Sequence, residues 1–278
     1  MRALIVTVAL IVTVMVAQTP RVHGRPSAQA PAPGVQPPAV RPPADATCPE
    51  VASALTALMR NDLRLRDWAN LARYRDANRT LAAPATGEAR VVFMGDSITD
   101  LWQQPRFGGF FPGKPYVDRG ISGQTTPQML LRFRPDVIDL KPKVVVILAG
   151  TNDIAANTGP TTNEEIQSNL ESMGELARAH DIRVVFASVT PVSAYHVASP
   201  TATPQTTARP MARIKALNGW ITSYAASHGG VYLDYFSAMT DQAGLLRAEL
   251  SEDDLHPNAK GYEIMGPLAQ AAITRAMK

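Results

Sequence analysis

Cysteine is nearly absent from this chain: Cys48 is its only one, so no intramolecular disulfide can form. It lies too far past the leading apolar run to resemble a lipid-attachment cysteine. Motifs for metals and nucleotides are missing too. There is no H-E-x-x-H, no Cys/His cluster, no P-loop and no complete G-x-G-x-x-G, and the expectation is therefore no metal and no cofactor. A basic excess is also lacking. The 27 lysines and arginines face 24 acids, but Arg2, Arg21 and Arg25 stand in the first 30 residues, where there is no acid, and the remainder balances at 24 against 24. The slight basicity belongs to the leader and implies no nucleic-acid partner. No internal repeat is visible.

What is present begins with a short positive start at Arg2 and the apolar stretch Ala3 to Ala17, about 15 residues where a span needs about 20. Residues 1–30 read as a secretory signal peptide, with small-residue cleavage candidates at Val22-His23-Gly24 and Ala28-Gln29-Ala30. An uncleaved anchor is the rival reading. After cleavage no stable membrane span is expected, and the location is secreted or periplasmic. Residues 31–48 are rich in proline and read as an extended linker. Residues 49–87 read as an N-terminal helical segment packed on the core, with Val51, Leu55, Leu58, Met59, Leu63, Leu65, Trp68, Leu71 and Tyr74 at amphipathic spacings. Trp68 and Tyr74 are expected in the core, the alternative being the wall of an acyl or sugar pocket.

The rest, 88–278, alternates strands and helices. Strands are expected at Val91–Gly95, Tyr116–Arg119, Lys143–Ala149, Arg183–Ser188 and Gly230–Leu233. Helices are expected at Ile98–Gln104, from Thr126 to about Leu140 behind a Thr125 cap and Pro127, from about Asn163 to His180, from Pro210 to about His228, and at Lys260–Met277. Such alternation implies right-handed crossovers and an α/β fold with a parallel sheet of about five strands and helices on both faces. Thr190 to Arg209 has no periodicity and follows a strand's C-terminal end, which makes it a candidate substrate-selecting lid.

The first strand runs into Gly95-Asp96-Ser97-Ile98-Thr99. Ser97 thus stands outside a strand's carboxyl end, where ligand crevices of open α/β sheets lie. It is not in a G-x-S-x-G elbow, and alone it would read as a helix cap. Three further blocks follow in order: Arg119-Gly120-Ile121-Ser122-Gly123-Gln124, Gly150-Thr151-Asn152-Asp153, and Asp253-Asp254-Leu255-His256-Pro257. Together the four resemble those of the GDSL or SGNH hydrolases, which include lysophospholipase/thioesterases, platelet-activating-factor acetylhydrolase subunits and carbohydrate acetylesterases. The resemblance covers roughly residues 88 to 278 and implies a three-layer α/β/α, flavodoxin-like fold and serine ester hydrolysis.

His256 is three residues beyond Asp253, a spacing that lets a tight loop bring the carboxylate to imidazole Nδ1 and leaves Nε2 for Ser97. The resemblance assigns Ser97 as nucleophile, His256 as base and Asp253 as its orienting partner. Where the family often has glycine after that aspartate, this chain has Asp254, read as a solvent-facing neighbour, the alternative being that Asp254 takes the orienting role in place of Asp253. For the oxyanion hole the resemblance supplies the amides of Ser97 and Gly123 and the carboxamide of Asn152, with Gly120 a competing glycine. Asp96 and Asp153 read as holders of loop geometry. His180 and His228 read as helix-closing residues, and His196 as an exposed loop histidine. The implied reaction is hydrolysis of a small-molecule or glycan ester. An acyltransferase on the same three residues and a catalytically silent glycan-binding domain are the alternatives.

Overall fold

The computed structural model describes residues 65–278 except Pro200, preceded by positions 49, 51–53, 55, 56 and 58. The expected signal peptide, the linker, His23, Cys48, Met59 and Leu63 lie outside the described residues. Positions 49 and 51–53 are helical and exposed, and everything below concerns the unit that begins at Ala54.

Five short strands form one sheet, β1 (Val91–Gly95), β2 (Tyr116–Gly120), β3 (Val144–Leu148), β4 (Arg183–Ala187) and β5 (Val231–Leu233). Their order is β2-β1-β3-β4-β5 and every pairing is parallel. This is the flavodoxin-like order, in which the chain turns to opposite sides after β1 and opens a crevice between β1 and β3. β1 and β3 are apolar because both faces of the sheet are covered. Val92, Met94, Val145 and Ile147 enter one buried cluster and Val91, Phe93, Val144 and Val146 the other, the period of two that a pleated strand imposes.

Short α1 (Arg75–Thr80) precedes the sheet, and α2 (Ser97–Asp100) leaves β1 directly. The first cluster is completed by α3 (Thr126–Asp136), α5 (Asn163–Arg178) and α7 (Met211–Ser227), the second chiefly by α9 (Ala259–Ala276). Between them stand α4 (Thr151–Ile154), α6 (Gln205–Ala208) and α8 (Tyr235–Met239). The expected strands and long helices are found within a few residues. α3 stops at Asp136 rather than near Leu140. Pro135 removes an amide donor from its last turn, and Ile138–Leu140 tightens into a 3₁₀ turn. No helix among the described residues is long and apolar enough to cross a membrane.

The N-terminal segment corrects one expectation. Tyr74 is buried, but Leu65, Leu71 and Trp68 are exposed, Trp68 by 44%. The reason is local: residues 67–72 form a turn rather than a helix, with the Asp67 carboxylate accepting from the Leu71 and Ala72 amides at 2.7 and 2.8 Å. At Trp68 and Leu71 the helical spacing therefore falls on a turn, while Leu65, in helix, is exposed.

Candidate active site

The register brings the ends of three strands level: Gly95 pairs with Gly120 on one side and Leu148 on the other. The segments that leave β1, β2 and β3 consequently open on one edge. At Gly95 a side chain would overlap the Thr99 side chain, so the abrupt strand-to-helix turn requires glycine. Asp96 caps α2, its carboxylate accepting from the Ile98 amide at 2.9 Å. Burial raises its pKa to about 6 against the opposing pull of that amide. Ser97, the first residue of α2, is largely buried.

The loop before α9 supplies the partner. His256 Nε2 lies 2.9 Å from Ser97 Oγ, and His256 Nδ1 lies 2.6 Å from Asp253 Oδ2. Asp253 Oδ1 accepts from the amides of His256 and Leu255 and from Ser251 Oγ at 2.8, 3.1 and 3.1 Å. Partial burial would raise the Asp253 pKa, but the His256 ring and the His256 and Leu255 amides outweigh it and hold the carboxylate well below its ordinary range. A charged Asp253 accepts from Nδ1–H and leaves Nε2 to accept the serine hydroxyl proton. The i, i+3 loop inferred from spacing is thus the one observed.

Two glycines competed in the second block, and their surroundings differ. The Gly120 amide donates to Asp118 Oδ1 at 2.7 Å, and a Cβ at Gly120 would overlap the Asp100 backbone. Gly120 is a packing residue. Gly123 has φ +80° with open space where a Cβ would sit, and its amide has no acceptor among the described residues. Asn152, in α4, donates through Nδ2 to Gln124 O at 3.0 Å, while its Oδ1 accepts from Asn157 Nδ2 at 3.0 Å and Arg209 Nη2 at 3.4 Å. One Nδ2 hydrogen remains available. Asp153 accepts from the Thr126 amide at 2.9 Å and from Thr126 Oγ1 at 2.6 Å, tying α4 to α3. Burial raises its pKa despite those bonds.

Asp254 is not a solvent-facing neighbour. It is 2% exposed and accepts from Ser193 Oγ at 2.5 Å, the His196 and Tyr195 amides at 2.7 and 3.0 Å, and His196 Nδ1 at 3.1 Å. Desolvation acts to raise its pKa, but those donors prevail and lower it. The carboxylate pins the start of the 190–209 loop beside the Asp253 turn. Its φ of +68° is the left-handed conformation that glycine adopts without strain, which accounts physically for glycine as an alternative there. His196 is the solvent-side partner of that bond.

Two arginines escaped the sequence reading. Arg132 is wholly buried, donating to Gly95 O, Arg119 O, Gln124 Oε1 and Asp136 Oδ2. It joins the ends of β1 and β2 to the Gly123 loop. Its signal was a cation at 132 between Met129 and Phe133 on the buried face of α3, with Asp136 one turn on. Arg209, also buried, donates to Thr151 Oγ1 at 3.0 Å and to Gln205 Oε1 and fastens the far end of the loop to α4. No sequence pattern marked it. His228 stacks on Tyr224 at 4.1 Å at the end of α7, and His180 lies 3.4 Å from Arg134. Hydrogen bonds join Ser97, His256 and Asp253, Asn152 is bonded to the Gly123 loop at Gln124 O, and that loop to α2 through Ser122 and Asp100. Gly120 and the remaining described histidines take no part in these bonds. A hydroxyl hydrogen-bonded to an imidazole, itself oriented by a carboxylate, with amide donors nearby, is suited to acyl transfer.

Comparison with known proteins agrees with this chemistry. Residues 93–264 match the model of the GDSL-like lipase/acylhydrolase family. A GDSL-like lipase from Bacteroides thetaiotaomicron superposes with a TM-score of 0.68 at 41% identity, covering 75% of this chain and 98% of that one. An acetyl-xylooligosaccharide esterase from Geobacillus shares the fold, with a TM-score of 0.55 at 21% identity over 69% of this chain and 95% of that one. Human platelet-activating factor acetylhydrolase IB subunit alpha2 is 33% identical over 91 residues, which is 32% of this chain and 38% of that protein. A lipoprotein of Bacillus subtilis is 37% identical over 79 residues, 27% of this chain and 32% of that protein. The chain thus matches about a third of the length of these last two relatives, 38% and 32%.

Proposed function

The chain belongs to the GDSL-like lipase/acylhydrolase family, and on that premise we propose that it is an exported serine ester hydrolase working through an acyl-enzyme. The observation that carries the reading is the unbroken hydrogen-bonded series Ser97, His256, Asp253 at the carboxyl edge of the sheet. In this mechanism Ser97 Oγ attacks the ester carbonyl carbon while His256 Nε2 takes its proton. Asp253 fixes the ring and stabilises the imidazolium. The developing oxyanion accepts from the Ser97 and Gly123 amides and from Asn152 Nδ2. Collapse breaks the carbonyl-to-alkoxy bond, and the leaving alcohol receives the proton held by His256. Water, deprotonated by His256, then attacks the acyl carbon and frees Ser97 and the carboxylic acid.

Short acyl groups are the proposed substrates, on a carbohydrate or a lysophospholipid-type alcohol. The names of the platelet-activating factor acetylhydrolase subunit and the acetyl-xylooligosaccharide esterase support an acetyl group. Export rests on the leader at residues 1–30 and is supported by the lipoprotein relative. The test is hydrolysis of p-nitrophenyl esters from acetate to long acyl chains by the wild type and by Ser97→Ala. Activity highest on acetate and absent from the variant is expected. Equal rates in both proteins would overturn the mechanism.

A further inference from the structure

The Gly123 loop also borders a cavity that Ser97 and His256 do not line. A cleft of about 790 Å³ runs from Gly123 to the turn at 67–72, within the size range of small-molecule sites. Trp68 forms its rim, and Asn70, Ser122, Gln128, Asn157 and Thr158 contribute to its walls. We propose that this cleft, with Trp68 as its platform, is a subsite for the sugar moiety of an oligosaccharide ester, which rests on the esterase reading above and names the alcohol.

Four observations carry the assignment. An exposed tryptophan on a folded turn is a flat apolar surface next to water, and the C–H face of a pyranose ring is its complement. Around it stand polar side chains: the Asn70 carboxamide is unengaged among the described residues, and Asn157 keeps its Oδ1 and Ser122 its oxygen lone pairs as acceptors, their donors being spent on Gly123 O, Asn152 Oδ1 and Asp100. The platform is also fixed. Gln128 Nε2 donates to Trp68 O at 2.7 Å, and Gln124 Nε2 donates to Ala69 O at 2.7 Å. Gln124 is itself held by Arg132 and adjoins Gly123, so a ring resting on Trp68 is registered against that glycine without a costly ordering step. Finally, Trp68 borders a second cleft of about 410 Å³ along the first turns of α5. A ridge between two clefts suits several sugar units rather than one.

The test has two arms, both on the full chain. In the first, kcat and KM are measured for wild type, Trp68→Ala and Trp68→Phe on p-nitrophenyl acetate, chemically acetylated xylotetraose and 1-myristoyl-lysophosphatidylcholine, with melting temperatures to verify folding. Trp68→Ala is expected to lower kcat/KM for the acetylated xylotetraose about tenfold relative to p-nitrophenyl acetate, mostly through KM, and Trp68→Phe to restore most of it. An unchanged ratio, or a larger loss on the lysophospholipid, would overturn the assignment. In the second arm, calorimetric titration of unacetylated xylotetraose and cellotetraose reads binding whether or not any ester is hydrolysed. Binding weakened by Trp68→Ala supports the subsite, and no binding of either sugar refutes it. Absence of hydrolysis with sugar binding retained would refute the esterase mechanism and leave the subsite standing.

Discussion

Asp254→Gly opposes two effects whose balance can be worked out. The substitution installs the residue the family often has there, and it relieves a left-handed backbone at φ +68°, a gain of about 1 kcal/mol. It also deletes a carboxylate that accepts from Ser193 Oγ, the Tyr195 and His196 amides and the His196 ring. Hydrogen bonds to a charged group contribute about 1.5–3 kcal/mol each. They do not add fully, because Tyr195 and His196 are exposed and water can replace their partner. Ser193 is wholly buried and would be left unpaired. Counting Ser193 in full and the others in part gives a loss of about 3 kcal/mol, hence a net destabilisation of about 2 kcal/mol. For a domain of this size that lowers Tm by roughly 4–8 °C. Calorimetry or denaturant unfolding measures the difference, and limited proteolysis should cut the released loop near Tyr195 sooner. A variant as stable as wild type, or more so, would refute the claim that this carboxylate anchors the loop.

Asn152→Ala should lower kcat about 10²-fold with little change in KM, because the lost donor acts on charge that develops in the transition state; a loss confined to KM would contradict that. Arg132→Met leaves Asp136 buried without its guanidinium and should cost about 3–5 kcal/mol, and adding Asp136→Leu should recover part of it, both read by chemical denaturation. Asp118, whose burial raises its pKa to about 7 against the Gly120 amide, ionises near pH 4 once unfolded. The folded state therefore holds an extra proton between about pH 4 and 7, and stability falls as pH rises through that window. Asp118→Asn should flatten that fall by up to about 4 kcal/mol, measured as unfolding free energy at pH 4.5, 6 and 8; an unaltered slope would sink this reading.

The sheet was legible because β1 and β3 are buried on both faces and carry uninterrupted apolar runs, and the long helices because caps such as Thr125 stand where their side chains are used. The Ser97–His256–Asp253 contacts were legible for a different reason: Ser97 stands just past a strand's end, and Asp253 and His256 share a three-residue spacing within one turn. What escaped depends on contacts distant in sequence. Asp254 is a charge whose partners lie on the 190–209 loop, and nothing near it announces burial; Arg132 has Asp136 one turn on, but its bonds to Gly95, Arg119 and Gln124 join segments that only the fold brings together. Trp68 misled because its helical spacing was real while Asp67 diverts the backbone into a turn.

The central claim is that Ser97 becomes acylated with help from His256, and covalent trapping tests it most directly. The full chain is incubated with an alkyl fluorophosphonate and the adduct located by peptide mass spectrometry. The account predicts one modified residue, Ser97, with labelling strongly slowed in His256→Ala. An adduct on another serine, or esterase turnover that persists with Ser97 unmodified, would contradict it.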